Sequence, residues 1–162
     1  MKKVILLIIV TAVSLFALGQ EVHNFKYERT YYTALKKAKE QDKVLLIMIE
    51  KKGCPNCSYM KNIVFEREKI LNYVNENYIT LLLDIHGNYY PKRYISDRAP
   101  TFYFVDPRDE SEIREKKIGG SRPWKFIEEL TEVRNKYNGV DINITQDANE
   151  TPTMTSNIKI VD

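Results

Sequence analysis

Apolar and polar positions alternate along the chain in blocks whose lengths predict a series of helices and strands. Two continuous apolar runs, residues 44–49 and 78–85, are typical of strands buried inside a sheet that helices flank. A third run at 101–105 predicts another strand, and after a polar turn residues 112–118 can pair back as an edge strand. The pattern therefore predicts four strands.

Amphipathic spacing predicts the helices between and beyond these strands. They cover residues 24–40, 56–77 with a bend or break near 64–66, a short stretch at 89–96, and the segment after Gly119-Gly120. Ser121 is the expected N-cap of this last helix, Pro123 lies in its first turn, and Gly139 ends it. The order α-β-α-β-α-β-β-α predicts a single α/β domain.

The N-terminal segment differs from the rest of the chain. Lys2 and Lys3 precede an apolar run at 4–18, and Ala17-Leu18-Gly19 offers small residues for cleavage. The alternative is an uncleaved membrane anchor, but the run is shorter than the ~18–20 residues that span a bilayer. We therefore expect a signal peptide at 1–19, a domain at 20–139 and a polar tail at 140–162, with a periplasmic or secreted location.

The overall charge argues against two classes of function. The formal charge is +3, but without Lys2 and Lys3 there are 23 basic residues against 22 acidic ones. A domain with nearly equal numbers of basic and acidic residues gives no net-charge reason to expect binding to nucleic acid or to an anionic membrane.

The candidate chemistry lies in Cys54 and Cys57, the only cysteines of the chain. They follow a predicted strand and open a predicted helix, where unpaired N–H groups and the helix dipole favour the reactive thiolate. Cys54 is the expected nucleophile. Cys57, one turn behind, is the expected resolving thiol that displaces a captured substrate.

Other roles for a C-x-x-C pair fit less well. A structural disulfide across so short a loop removes little entropy from the unfolded chain. Zinc needs four ligands, and His23 and His86 stand at no usual ligand spacing. Haem attachment needs a histidine where this chain has Ser58.

Three segments together resemble the thioredoxin superfamily, and more narrowly its exported members. They are the strand that leads to Cys54-Pro55-Asn56-Cys57, the segment Ala99-Pro100-Thr101-Phe102, and Gly119-Gly120 before the last helix. The resemblance covers about residues 25–138. It implies a thioredoxin-like α/β fold with a central mixed four-stranded sheet flanked by helices.

The resemblance also implies roles for individual residues. Cys54 would be the exposed nucleophile and Cys57 the resolving thiol, and the two would form the redox disulfide. Pro100 would follow a cis peptide bond and face the cysteines, and the backbone of Ala99 would pair with a substrate chain. Proteins of this kind are recharged by a membrane-bound electron donor, so we expect such a partner and no bound cofactor or metal.

This chain departs from the thioredoxin pattern in three places, and one of them is Pro55-Asn56 between the cysteines, where thioredoxins have Gly-Pro. Gly53 stands where thioredoxins have tryptophan, and Met48 stands where they have a buried acid that moves protons for the resolving thiol. Glu50 lies on the same face of the strand as Met48 and is a candidate for that role. The interpretation that we favour for Glu50 is a solvated loop acid.

The sequence thus predicts an exported thiol–disulfide oxidoreductase that reduces or exchanges disulfides in exported proteins. One alternative is an oxidase of the same fold that donates its disulfide. Another is a non-catalytic binding or chaperone module in which the cysteines are only structural.

Overall fold

A mixed sheet of five strands forms the centre of the computed structural model, which describes residues 24–87 and 90–140. The strands lie in the order β1-β3-β2-β4-β5; β1, β2 and β3 are parallel, and β4 is antiparallel to both of its neighbours. Their bounds are β1 Tyr27–Glu28, β2 Val44–Glu50, β3 Tyr78–Asp84, β4 Thr101–Val105 and β5 Lys117–Ile118. The α/β architecture is confirmed, with one strand more than the four expected.

Within the described ranges, four α-helices cover the two faces of this sheet: α1 Tyr31–Glu40, α2 Pro55–Tyr59, α3 Glu68–Asn77 and α4 Pro123–Tyr137. Helix α1 and a 3₁₀ turn at Lys92–Tyr94 pack on one face, and α2, α3 and α4 pack on the other. Successive residues of a strand point to opposite faces. Residues 44–49 of β2 are consequently all fully buried, as the apolar run predicts.

The first helix begins later than its predicted start at residue 24. Thr30 is the N-cap, and its hydroxyl accepts the backbone N–H of Thr33 at 3.3 Å. Upstream of this cap, Tyr27 and Glu28 pair in parallel with Thr80 and Leu81 of β3. The predicted helix start was wrong because a two-residue strand is too short to show the alternation of apolar and polar residues that marks a strand.

The predicted break in the second long helix is confirmed. A π-helical turn at Met60–Val64 follows α2 directly, and the N–H of Phe65 donates to the carbonyl of Met60 at 2.9 Å. A non-helical segment then separates this turn from α3. Met60, Val64 and Phe65 are all fully buried, so the break still presents large apolar groups to the core.

The C-terminal part of the domain differs from expectation at its strand and at one cap. Strand β5 contains only Lys117–Ile118, and Glu112 forms an isolated bridge to Val105. Arg122, not Ser121, is the N-cap of α4, and its side chain makes no capping bond. The stop at Gly139 is confirmed, since its φ of 72° suits glycine and its N–H donates to Lys136.

The segment at 1–19 and the tail beyond residue 140 lie outside the described residues. Of the helices in the described ranges, none is both long enough and apolar enough to cross a bilayer.

Candidate active site

Cys54 lies in the turn between β2 and α2 and caps the N-terminus of that helix. Its sulfur accepts the backbone N–H of Cys57 at 3.2 Å, and its own N–H donates to the carbonyl of Lys51. Gly53 has a φ of 74°, which lets the chain turn sharply from strand to helix. Pro55 follows in the first helical turn, where its missing N–H leaves no bond unmade.

Cys54 and Cys57 are joined as a disulfide, with their Cα atoms 5.3 Å apart. Cys57 is only 2% exposed and packs in the core, whereas Cys54 is half-buried. An attacking substrate can therefore reach Cys54 more readily than Cys57. This asymmetry fits the predicted roles of nucleophile and resolving thiol, which stay predictions.

The loop before β4 lies against the sulfur of Cys54. The peptide bond between Ala99 and Pro100 is cis, as the resemblance implies, and the Ala99 carbonyl oxygen is 3.5 Å from the Cys54 sulfur. The N–H of Gly119 donates to the Pro100 carbonyl at 2.8 Å. The structure thus brings Cys54, Ala99 and Pro100 together, and the substrate-binding role of the last two stays a prediction.

The segment after β5 packs against the helix that carries Cys57. The N–H of Ser121 donates to the sulfur of Met60 at 3.2 Å, and a Cβ on Gly120 would lie 3.7 Å from the same sulfur. Met60 begins the π-helical turn and is fully buried. One buried thioether therefore joins the Gly119-Gly120 segment to the helix of the cysteine pair.

The favoured interpretation of Glu50 as a solvated loop acid is wrong. Glu50 is the last residue of β2, and its side chain is only 16% exposed. Its carboxylate forms an ion pair of 2.7 Å with Lys61 and lies 3.9 Å from the Arg29 guanidinium. Parallel pairing with Asp84 and an N–H bond from Ile85 fix the backbone of Glu50 at the strand end.

Glu50 and the cysteine pair line one cavity of about 340 Å³ at the carboxyl ends of β2 and β3. Its other lining residues are mostly charged or polar: Arg29, Lys51, Lys52, Gly53, Ser58, Lys61 and Asp84. Sequence reasoning missed Arg29 and Lys61 as members of this site. Lys61 had a usable signal, because it stands four residues after Cys57 and so on the same side of the helix.

Metal chemistry was not expected at this site. Within the described ranges, no three side chains of His, Cys, Asp or Glu are grouped closely enough to hold a metal ion. The expectation that the chain works without a metal or cofactor stays a prediction.

Comparison with known proteins places this geometry in a family context. A family model described as thioredoxin-like matches residues 26–107, just over half of the chain. A search of curated proteins finds no match to the chain. Because the family match includes β2, both cysteines and β4, it covers the elements that build the site.

Solved structures share the same fold. A thioredoxin from Thermus thermophilus is 19% identical with a TM-score of 0.61, over 72% of this chain and 92% of that chain. An oxidoreductase named DsbH is 15% identical with a TM-score of 0.55, over 73% and 92%. The oxidised C-terminal domain of DsbD from Neisseria meningitidis is 22% identical with a TM-score of 0.51, over 62% and 90%. At these identities the likeness confirms the expected fold.

Proposed function

The chain belongs to the thioredoxin-like family, and from that premise we propose that it is an exported thiol–disulfide oxidoreductase that reduces or exchanges disulfides in other exported proteins. One observation carries the proposal: the sulfur of the half-buried Cys54 caps α2, bonds the sulfur of the buried Cys57 and lies 3.5 Å from the Ala99 carbonyl oxygen. Among the structures of similar fold, DsbH is named an oxidoreductase and the DsbD domain is described in its oxidised form.

The cycle starts from the dithiol form. The Cys54 thiolate attacks one sulfur of a substrate disulfide, and the other substrate sulfur leaves as a thiolate that takes a proton from water. The Cys57 thiolate then attacks the Cys54 sulfur and displaces the second substrate thiolate. Two electrons have passed to the substrate, and the Cys54–Cys57 disulfide remains.

The site favours these steps in two ways. The Cys57 N–H points at the Cys54 sulfur, and a backbone donor of this kind stabilises a thiolate more than a thiol. The Ala99 carbonyl lies beside the same sulfur, so a substrate chain can pair with the backbone there while its own sulfur reacts.

Export and recharging belong to the same proposal. The basic start and apolar run at 1–18 support export to the periplasm or cell exterior, where disulfides form and persist. We infer that a membrane-bound electron donor returns the pair to its dithiol form. N-terminal sequencing of the secreted or periplasmic protein should then begin at Gln20. A full-length chain held in the membrane would contradict cleavage, and a full-length chain in the cytoplasm would contradict export.

A trapping experiment tests the activity. Cys57→Ser lacks the resolving thiol, so with insulin it should accumulate a covalent complex that dithiothreitol releases. Cys54→Ser is the matched control, with the same sulfur-to-oxygen change at the other position, and should trap nothing. Absence of a complex with Cys57→Ser, together with no insulin reduction by the native protein, would favour the non-catalytic module.

The direction of transfer is tested separately. A reduction potential of about −270 mV fits a reductant, and one of about −120 mV fits an oxidase that donates its disulfide. We expect the lower value. The higher value would replace the proposed function with the oxidase.

A further inference from the structure

The cavity beside the cysteine pair has an excess of positive charge. Arg29, Lys51, Lys52 and Lys61 line it, against the two carboxylates of Glu50 and Asp84. The ammonium group of Lys61 and the guanidinium of Arg29 both face Glu50, at 2.7 and 3.9 Å. Glu50 is therefore already neutralised within the protein.

Lys51 and Lys52 carry the charge that is left over. Both side chains are exposed, and among the described residues neither makes an ion pair. They stand immediately before Gly53 and Cys54, whereas Asp84 ends the neighbouring strand β3. The unpaired positive charge of the cavity is thus carried by the turn that leads directly into Cys54.

The position of the cavity relative to the cysteines and to the Ala99-Pro100 loop also bears on what it can bind. Cys54 and Cys57 both line it, whereas Ala99 and Pro100 do not. A substrate bound by the Ala99 backbone can therefore place a neighbouring group in the cavity without giving up that pairing. An anionic group suits the unpaired ammonium groups of Lys51 and Lys52.

We propose that this cavity is a carboxylate-binding subsite, so that the chain prefers protein disulfides flanked by acidic residues. The inference rests on the proposed function, because the carboxylate is bound while the substrate sulfur reacts with Cys54. Glutathione disulfide presents the same chemical group on a small molecule, so the test includes it as a separate substrate.

The experiment compares two peptide disulfides of equal length that differ only by Glu or Gln beside the cysteine. Each is mixed with the reduced full-length protein, and the second-order rate constant of protein oxidation is measured at low salt. We expect the Glu peptide to react about 3- to 10-fold faster, the range that one or two exposed ion pairs provide. The preference should disappear near 1 M salt, where the screening length is about 3 Å.

The variant Lys51→Gln with Lys52→Gln should abolish the preference. Removing two charges near Cys54 also changes the reactivity of its thiol, but that change acts on both peptides and cancels in their ratio. The matched control is Lys36→Gln with Lys39→Gln, which removes two charges from α1, outside the cavity. The control should keep the native ratio.

Each result has a distinct meaning. If neither peptide oxidises the native protein, the proposed function fails. If both peptides react at the same rate, or if the Lys51 and Lys52 double variant keeps the preference, the subsite is wrong while the proposed function stands. If only glutathione disulfide shows the lysine and salt dependence, the assignment to protein substrates is overturned.

Discussion

Among the residues of the site, Glu50 and Lys61 form a pair whose side chains are only 16% and 18% exposed. A charged group that is largely excluded from solvent depends on its ion-pair partner more than an exposed charged group does. The pair joins the end of β2 to the π-helical turn behind Cys57. It therefore holds together the two elements between which the cysteines lie.

Glu50→Gln should lower the free energy of unfolding by about 1–3 kcal/mol, because it leaves the Lys61 ammonium without its counter-charge. Urea unfolding measures this. The matched control is Glu40→Gln, whose partner Lys36 is 61% exposed, and it should change stability by less than about 0.5 kcal/mol. Equal effects of the two substitutions would contradict a stabilising role for the Glu50–Lys61 pair.

Sequence reasoning found the cysteines but not the ion pairs that surround them. Cys54 and Cys57 are three positions apart, so their pairing depends on local helix geometry that a sequence displays. Glu50 and Lys61 are joined across a turn and a helix, and Arg29 lies directly after β1, a strand that the sequence did not reveal. Contacts of this length depend on how elements pack, so the sequence shows at most one side of them, as the spacing of Lys61 from Cys57 does.

At the level of helices and strands, buried elements were the predictable ones. Strands β2, β3 and β4 are largely apolar runs, and the break after α2 falls near residues 64–66, where it was predicted. The elements with errors lie at the sheet edges and helix starts. There, one or two hydrogen bonds decide the boundary, as Thr30 does for α1 and the Ser121 N–H does beside α4.

Thr30→Ala should lower the free energy of unfolding by about 1 kcal/mol, because it removes the acceptor for the Thr33 N–H at the start of α1. Urea unfolding again provides the measurement. Thr30→Ser retains the hydroxyl and should keep most of the stability. Equal losses from the two variants would show that the methyl group, not the cap, accounts for the effect.

For the molecule as a whole, buried and half-buried tyrosines make the free energy of unfolding depend on pH in the alkaline range. Burial and the hydrogen bond to Asp42 raise the pKa of Tyr137 to about 12, and burial also raises the pKa of Tyr31 and of Tyr78. In the unfolded chain, tyrosines ionise at about pH 10. Above that pH the unfolded state binds fewer protons than the folded state, so unfolding becomes easier.

The stabilising contribution of these protonated tyrosines should therefore be fully present below about pH 10. The free energy of unfolding should then fall steadily between about pH 10 and 12. Urea titrations across that range measure the slope. Tyr137→Phe removes one ionisable group and should make the slope shallower, whatever it does to stability at neutral pH. A slope that is unchanged by this substitution would contradict the assignment to Tyr137.

The most direct test of the account is the alkylation rate of Cys54 in the folded, reduced protein as a function of pH. We predict fast labelling of Cys54, slow labelling of Cys57, and a midpoint below the ordinary thiol value of about 8.5, because the Cys57 N–H and the start of α2 stabilise the thiolate. A midpoint at or above that value, or a Cys54 that labels no faster than Cys57, would contradict the central claim.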